Sequence, residues 1–294
     1  MRVFSRRARI LFGLLFLIAV VTAGVTLVGS RSRPPSDPSE LFYQALQQNL
    51  EDKGLTCTIT ETVGTTTSRQ SIALDLASKQ QARSTLRAAA PSRSVELEEI
   101  VVPSGNFIRY TNITSTDKNA AGKTPDFQKV LNVWGKVDTS KQAATLFGQT
   151  ALGNCIVPLA HLTTKQARDL TAELQKNTVF KTNMSASTVQ KTDTTSYRIY
   201  QIAVQPRPYI DFMKRVAKAY GLKDLDTVSA ASFDTKKAEN MKFYVDTSSG
   251  RLAKIEYAAK SRSVVFSDYG VVSEVAAPSK YIAANELQKS LIGQ

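Results

Sequence analysis

One histidine, His161, is the only imidazole in this 294-residue chain, so a hydrolytic triad would have to be built on it. Its neighbours Pro158, Leu159, Ala160 and Leu162 are apolar and no Gly-x-Ser-x-Gly elbow occurs. That is the setting of a structural or helix-starting histidine. Two carboxylate pairs come closest to acid–base chemistry. Glu98 and Glu99 are adjacent on a predicted strand, where successive side chains point to opposite faces and cannot converge. Asp224 and Asp226 fall in a loop or helix start. No phosphate-binding loop, Gly-x-Gly-x-x-Gly turn or calcium loop is present. Enzymatic activity and a bound cofactor are therefore not expected.

The two cysteines, Cys57 and Cys155, lie in a region expected to be extracytoplasmic, where a single pair favours one disulfide. Closing a loop of about 100 residues stabilises a fold by up to ~4–5 kcal/mol on the chain-entropy model. Two buried thiols are the alternative. A metal site is not expected, because one histidine and no closely spaced cysteine pair do not make a ligand set. The remaining residues able to act together are aromatic: Phe107, Tyr110, Trp134, Phe147, Tyr200, Phe212, Phe243, Tyr257 and Phe266. They line an apolar ligand cavity if helices stand off the sheet, and form a plain packed core if they do not.

These residues are positioned by a β-rich framework. After a helix over 40–50, alternating runs at 57–63, 71–76, 82–88, 95–102 and 107–113 predict five strands without an intervening helix. Connections this short imply an antiparallel meander. Helical periodicity returns at 125–134, 141–150 and 163–176, and a strand at 197–204 leads into a proline-started helix over 209–220. Three or four further strands cover 241–246, 251–257, 263–268 and 271–275, and an amphipathic helix over 283–292 ends the chain. The fold class is α+β: a large antiparallel curved sheet, a half-barrel, covered by helices.

The terminal hairpin from Phe243 to Tyr257, followed by the run from Val265 to Pro278, resembles the LolA/LppX-like superfamily of bacterial lipoprotein carriers and mycobacterial lipid-binding lipoproteins. The likeness is specific over residues 241–278, and the order of elements agrees from residue 40 onward. The chain also resembles anchored proteins of unassigned role from candidate-phylum bacteria. The superfamily resemblance implies an incomplete antiparallel barrel, lidded by helices, around a cavity for acyl chains. The chain lacks the lipidated cysteine of those lipoproteins, and no residue of a lid latch can be matched.

What would hold such a domain at a membrane is the stretch 10–29, twenty residues without a charge. At 1.5 Å per residue it covers the ~30 Å hydrocarbon core. Arg2, Arg6, Arg7 and Arg9 precede it and Arg31 and Arg33 follow it, which predicts a cytoplasmic N-terminus and an extracytoplasmic remainder. The expected organisation is a cytoplasmic stub at 1–9, an uncleaved single-pass anchor at 10–29, a Pro/Ser-rich linker at 30–39 and one domain at 40–294. A cleaved signal peptide is the alternative. Of the net charge of +13, the six arginines before residue 34 supply six, leaving +7 spread among many acids. That pattern, with no nucleic-acid-binding motif, argues against a nucleic-acid partner. The function expected is binding of a lipid or other hydrophobic molecule at the cell envelope. The alternative is a non-enzymatic adhesion or scaffold domain contacting envelope proteins or wall polymer.

Overall fold

The computed structural model describes residues 34–292, apart from 78–79, 119–121, 123–124, 139–147, 149–156, 224, 235 and 273. The chain divides into two units, Met1–Pro34 and Pro35–Gln294, and the second is the one described below. The expected anchor at 10–29, Phe147, Cys155 and, apart from Gly148, the expected helix at 141–150 lie outside the described residues.

Helix α1 (Pro38–Glu51) starts where Asp37 accepts the Glu40 amide at 2.9 Å and Pro38 fills the first turn. Its stripe of Leu41, Phe42, Ala45, Leu46, Asn49 and Leu50 is buried. Five long strands follow: β1 (Gly54–Val63), β2 (Thr66–Asp75), β3 (Gln81–Ala90), β4 (Arg93–Val102) and β5 (Gly105–Ser115). Each pairs antiparallel with the next, as the short connections predict. Gly64, at φ +58°, takes the left-handed position of the two-residue turn between β1 and β2.

The short strand β6 (Gly135–Val137) adds to the edge of β5. Helix α2 (Thr164–Lys176) opens on a capping box between Thr163 and Gln166. Two short strands, β7 (Phe180–Lys181) and β8 (Thr188–Lys191), lead to β9 (Ser196–Val204), then to helix α3 (Pro206–Ala219), which closes at Gly221 with φ +82°. The C-terminal meander is β10 (Glu239–Asp246), β11 (Leu252–Tyr257) and β12 (Arg262–Ser267). Strand β13 (Ile282–Ala283) and helix α4 (Ala284–Ile292) end it.

All 13 strands belong to one open, curved sheet, ordered β13-β6-β5-β4-β3-β2-β1-β12-β11-β10-β9-β7, with β8 also on β9. Pairing is antiparallel except between β13 and β6. The centre of the sheet is the β1–β12 ladder, running from Thr56 opposite Ser267 to Glu61 opposite Arg262. It joins the two meanders edge to edge.

The inner face carries the main core. Leu55, Cys57 and Ile59 of β1, Ile72 and Leu74 of β2, Tyr200, Phe243, Ile255, Val264 and Phe266 pack there with the buried stripes of α1, α2 and α3. A smaller core forms on the opposite face of β4 and β5. There Ile100, Val102 and Phe107 meet Val275 and Trp134, because side chains next in sequence to the inner-facing Val101 project the other way.

Two expected elements are absent. The run 125–134 is a turn at 128–130 rather than a helix. Leu131 bridges to Tyr110, Asn132 sits at φ +60°, and its amide donates to the Tyr110 carbonyl at 2.8 Å. Edge pairing to β5 has taken the backbone groups a helix would use. The described residues of 271–275 form no strand, because the edge of β12 that a further hairpin strand would need is held by β1. Asp268 and Gly270, both at positive φ, turn the chain off the sheet, and Gly270 donates to the Gly54 carbonyl at 2.8 Å.

Candidate functional site

Helix α4 lies on the inner face at the β5–β6 end of the sheet. Gly135 makes this possible: a Cβ there would stand 3.0 Å from the Ala284 Cα and 3.0 Å from a Leu287 methyl. Among the described side chains of α4, Leu287 is buried, at 1% exposure. Between α4 and the sheet runs a groove of about 690 Å³ lined by Ile108, Tyr110, Lys136, Asp138, Ala284 and Leu287, with Asn285 and Gln288 at its rim. Ile108 pairs with Glu99 and Tyr110 with Leu97 across β4, and Leu97 in turn faces Leu86 on β3. The groove therefore continues into a row of half-buried apolar side chains, Leu86, Val95, Leu97, Ile108, Tyr110 and Ile113. Its volume falls in the ~300–1,000 Å³ range of small-molecule sites.

The aromatic residues singled out from the sequence divide into three places. Tyr200, Phe212, Phe243, Tyr257 and Phe266 all belong to the main core. Phe42 stands at their centre, with ring centroids 5.1 Å from Tyr200 and 5.7 Å from Phe180 and Phe243. These are edge-on or tilted packing contacts, and the rings fill the space between α1 and the sheet. Burial pushes the Tyr200 phenol well above its ordinary range, and its hydroxyl donates to the Pro38 carbonyl at 2.7 Å. Phe107 and Trp134 lie in the second core on the opposite face. Only Tyr110 lines the groove under α4. Leu287 and Ala284 were not singled out beforehand; the amphipathic pattern of 283–292 marks an apolar side without saying where on the sheet it docks.

The groups considered for chemistry are committed to structure. His161 Nδ1 lies 3.1 Å from the Glu51 carbonyl, so that nitrogen carries the proton and ties the entry of α2 to the end of α1. Glu98 accepts from Arg109 Nε at 2.8 Å and is paired with Arg83, whereas Glu99 accepts from Asn106 at 2.8 Å on the other face. The two carboxylates diverge, as their alternation requires. Asp224 lies outside the described residues, and Asp226 donates its amide to Lys223 in a turn. Cys57 is fully buried opposite Phe266; its expected partner Cys155 lies outside the described residues. Among the described residues no group of three His, Cys, Asp or Glu side chains is placed to hold a metal ion, and no helix is long and apolar enough to cross a membrane.

No family model matches the chain, and no curated protein matches it. Among solved structures, the chain is similar to the hypothetical protein CT021 from Chlamydia trachomatis, with 7% identity, 83% of this chain and 99% of that chain covered, and a TM-score of 0.23. Nothing about this chain's function follows from that likeness.

Proposed function

We propose that this protein is an extracytoplasmic domain, tethered to the membrane by residues 10–29, that binds a lipid or other hydrophobic molecule in the groove between α4 and the β5–β6 end of the sheet. The observation that carries this reading is the groove itself. It is large enough for a ligand, apolar along Ile108, Tyr110, Ala284 and Leu287, and edged by Lys136 and Asp138, which supply a polar end. The half-buried row on β3–β5 offers an acyl chain a continuous apolar path. Such a ligand sits beside the aromatic core, not inside it, since Phe42, Phe180, Tyr200 and Phe243 pack against one another. The test is native mass spectrometry of the full chain released gently from detergent. A bound lipid is expected, and Ile108→Lys, which places a charge in the groove, is expected to remove it. Repeated absence of any apolar adduct would overturn the proposal.

A second reading, a non-enzymatic scaffold contacting envelope proteins or wall polymer, is favoured by the same filled core, which leaves the helix-covered half of the sheet solid. Under that reading charge reversals on the outer face abolish partner capture, whereas Ile108→Lys leaves it intact.

A further inference from the structure

A second groove opens at the β6–β13 edge of the sheet, distinct from the one under α4. About 520 Å³ in volume, it is lined by Asn132, Val133, Trp134, Pro278, Lys280, Tyr281 and their neighbours Ser279 and Ile282. Its floor is held in place by the Ile282 amide, which donates to the Trp134 carbonyl at 2.9 Å. Two features separate it from ordinary surface. Large apolar side chains stay open to solvent there, Tyr281 at 50% and Ile282 at 37% exposure. The charged residue in its lining is the cation Lys280.

The cations differ in what they do. Arg109 stacks on the Trp134 indole at 4.7 Å but is neutralised by Glu98, with Nη2 to carboxylate at 2.6 Å. It fixes the ring without adding free charge. Lys136 lies 5.4 Å from the centroid of Tyr281 and 5.6 Å from that of Phe107, and the two rings meet edge-on at 5.2 Å. Neither Lys136 nor Lys280 has a carboxylate partner among the described residues. The groove thus offers two aromatic rings at its wall, the ammonium group of Lys280, and the amide of the exposed Asn132, while Lys136 stands behind the Tyr281 ring.

We propose that this groove binds an acidic oligosaccharide: aromatic walls receive the C–H faces of pyranose rings, the Asn132 amide serves hydroxyls with both a donor and an acceptor, and Lys280 takes a carboxylate. A concave groove suits a chain lying along it better than a flat bilayer, which is met by projecting side chains. This inference does not depend on the lipid site under α4, and it gives the scaffold reading a defined ligand.

Trp134 is the only tryptophan in the chain, so its emission reports on this groove directly. The experiment titrates the full chain in detergent with trigalacturonate, with neutral maltotriose, and with vesicles of phosphatidylglycerol. Trigalacturonate is expected to shift Trp134 emission saturably, with maltotriose at least tenfold weaker. Lys280→Gln, a surface change, is expected to weaken trigalacturonate binding roughly tenfold, the value of one charge-assisted hydrogen bond. Tyr281→Ala, at an exposed position, is expected to weaken both sugars together. No saturable shift, equal binding of the two sugars, or binding to the vesicles without binding to trigalacturonate each overturns the proposal. Loss of the lipid adduct in mass spectra, by contrast, bears only on the groove under α4.

Discussion

At the scale of single residues, a buried ion pair closes the end of α1. Asp52, just past the end of α1, has a side chain only 3% exposed and is paired with Arg251 at the start of β11, whose guanidinium lies over the Tyr269 ring at 4.7 Å. Removing one partner of a buried pair leaves the other charged and desolvated. Asp52→Ala is therefore expected to destabilise the domain by about 3–5 kcal/mol in urea unfolding, and Asp52→Leu combined with Arg251→Met to recover most of that loss. Asn49 is the opposite case: it is fully buried on the apolar stripe of α1, and neither atom of its side-chain amide has a partner among the described residues. Asn49→Leu, close in shape, is expected to stabilise by about 1 kcal/mol, read as a higher urea midpoint. The tyrosines set the alkaline limit. Burial raises the phenols of Tyr200 and Tyr220, and pushes Tyr244 up to about 12 with help from Glu256, to which its hydroxyl donates. A phenol with a raised folded value stabilises the fold below the ordinary 10.0 and loses that contribution as pH climbs through the folded value. Thermal stability should fall in that window while phenolate absorbance lags behind that of free tyrosine. Tyrosines ionising at their ordinary value with the fold intact would contradict this.

At the scale of elements, Leu287 is the buried anchor of α4 among its described side chains. Leu287→Ala removes that anchor, and Gly135→Val drives a side chain into the backbone of Ala284, 3.0 Å from where even a Cβ would sit. Both are expected to raise amide hydrogen exchange across 284–292 by at least tenfold while exchange in β1–β4 stays unchanged; Gly135→Val should also remove the lipid adduct. The elements themselves were largely legible. Strands β1, β3–β5, β9, β10, β11 and β12 fall where alternation places them, within two or three residues at their ends, β2 begins five residues earlier than expected, at Thr66, and α1, α2, α3 and α4 fall on their helical stripes. Where periodicity misled, an edge decided the outcome. Val130, Leu131, Val133 and Trp134 have helix-like spacing, but the free edge of β5 beside them recruits their backbone. Val271, Val272 and Val275 have strand-like character, but they follow a β12 already paired on both sides.

At the scale of the whole molecule, the ladder between β1 and β12, strands about 200 residues apart in the chain, makes one sheet of two meanders. A central strand with partners on both edges tolerates no loss of its donors. Thr58→Pro, between Ser71 and Val265, is expected to destabilise both halves together. Unfolding of the unmodified chain should be one transition, with far-ultraviolet circular dichroism and Trp134 emission superimposed. Two separated transitions would show the meanders to be independent. The smaller core on the outer face belongs to the same unit, since Ile100 and Val102 are strand neighbours of Val101 in the main core.

What the sequence determined by itself was local: hairpins from alternation and turn residues, helices from stripes and caps, the divergence of Glu98 and Glu99 from the two-residue period of a strand, and the basic, uncharged-span pattern of residues 1–33. These follow from forces acting within a few residues along the chain. Only the tertiary structure decided which aromatics form the core and which line a groove. An apolar ring looks the same in sequence whether Phe42 fills the space before it, as with Phe243, or Leu287 stands off beside it, as with Tyr110. It also decided that Trp134 and Tyr281, 147 positions from one another by neither period nor motif, come to share one wall through the pairing of β13 with β6. Burial and cross-sheet pairing are properties of surfaces brought together from distant parts of the chain, and no local pattern records them.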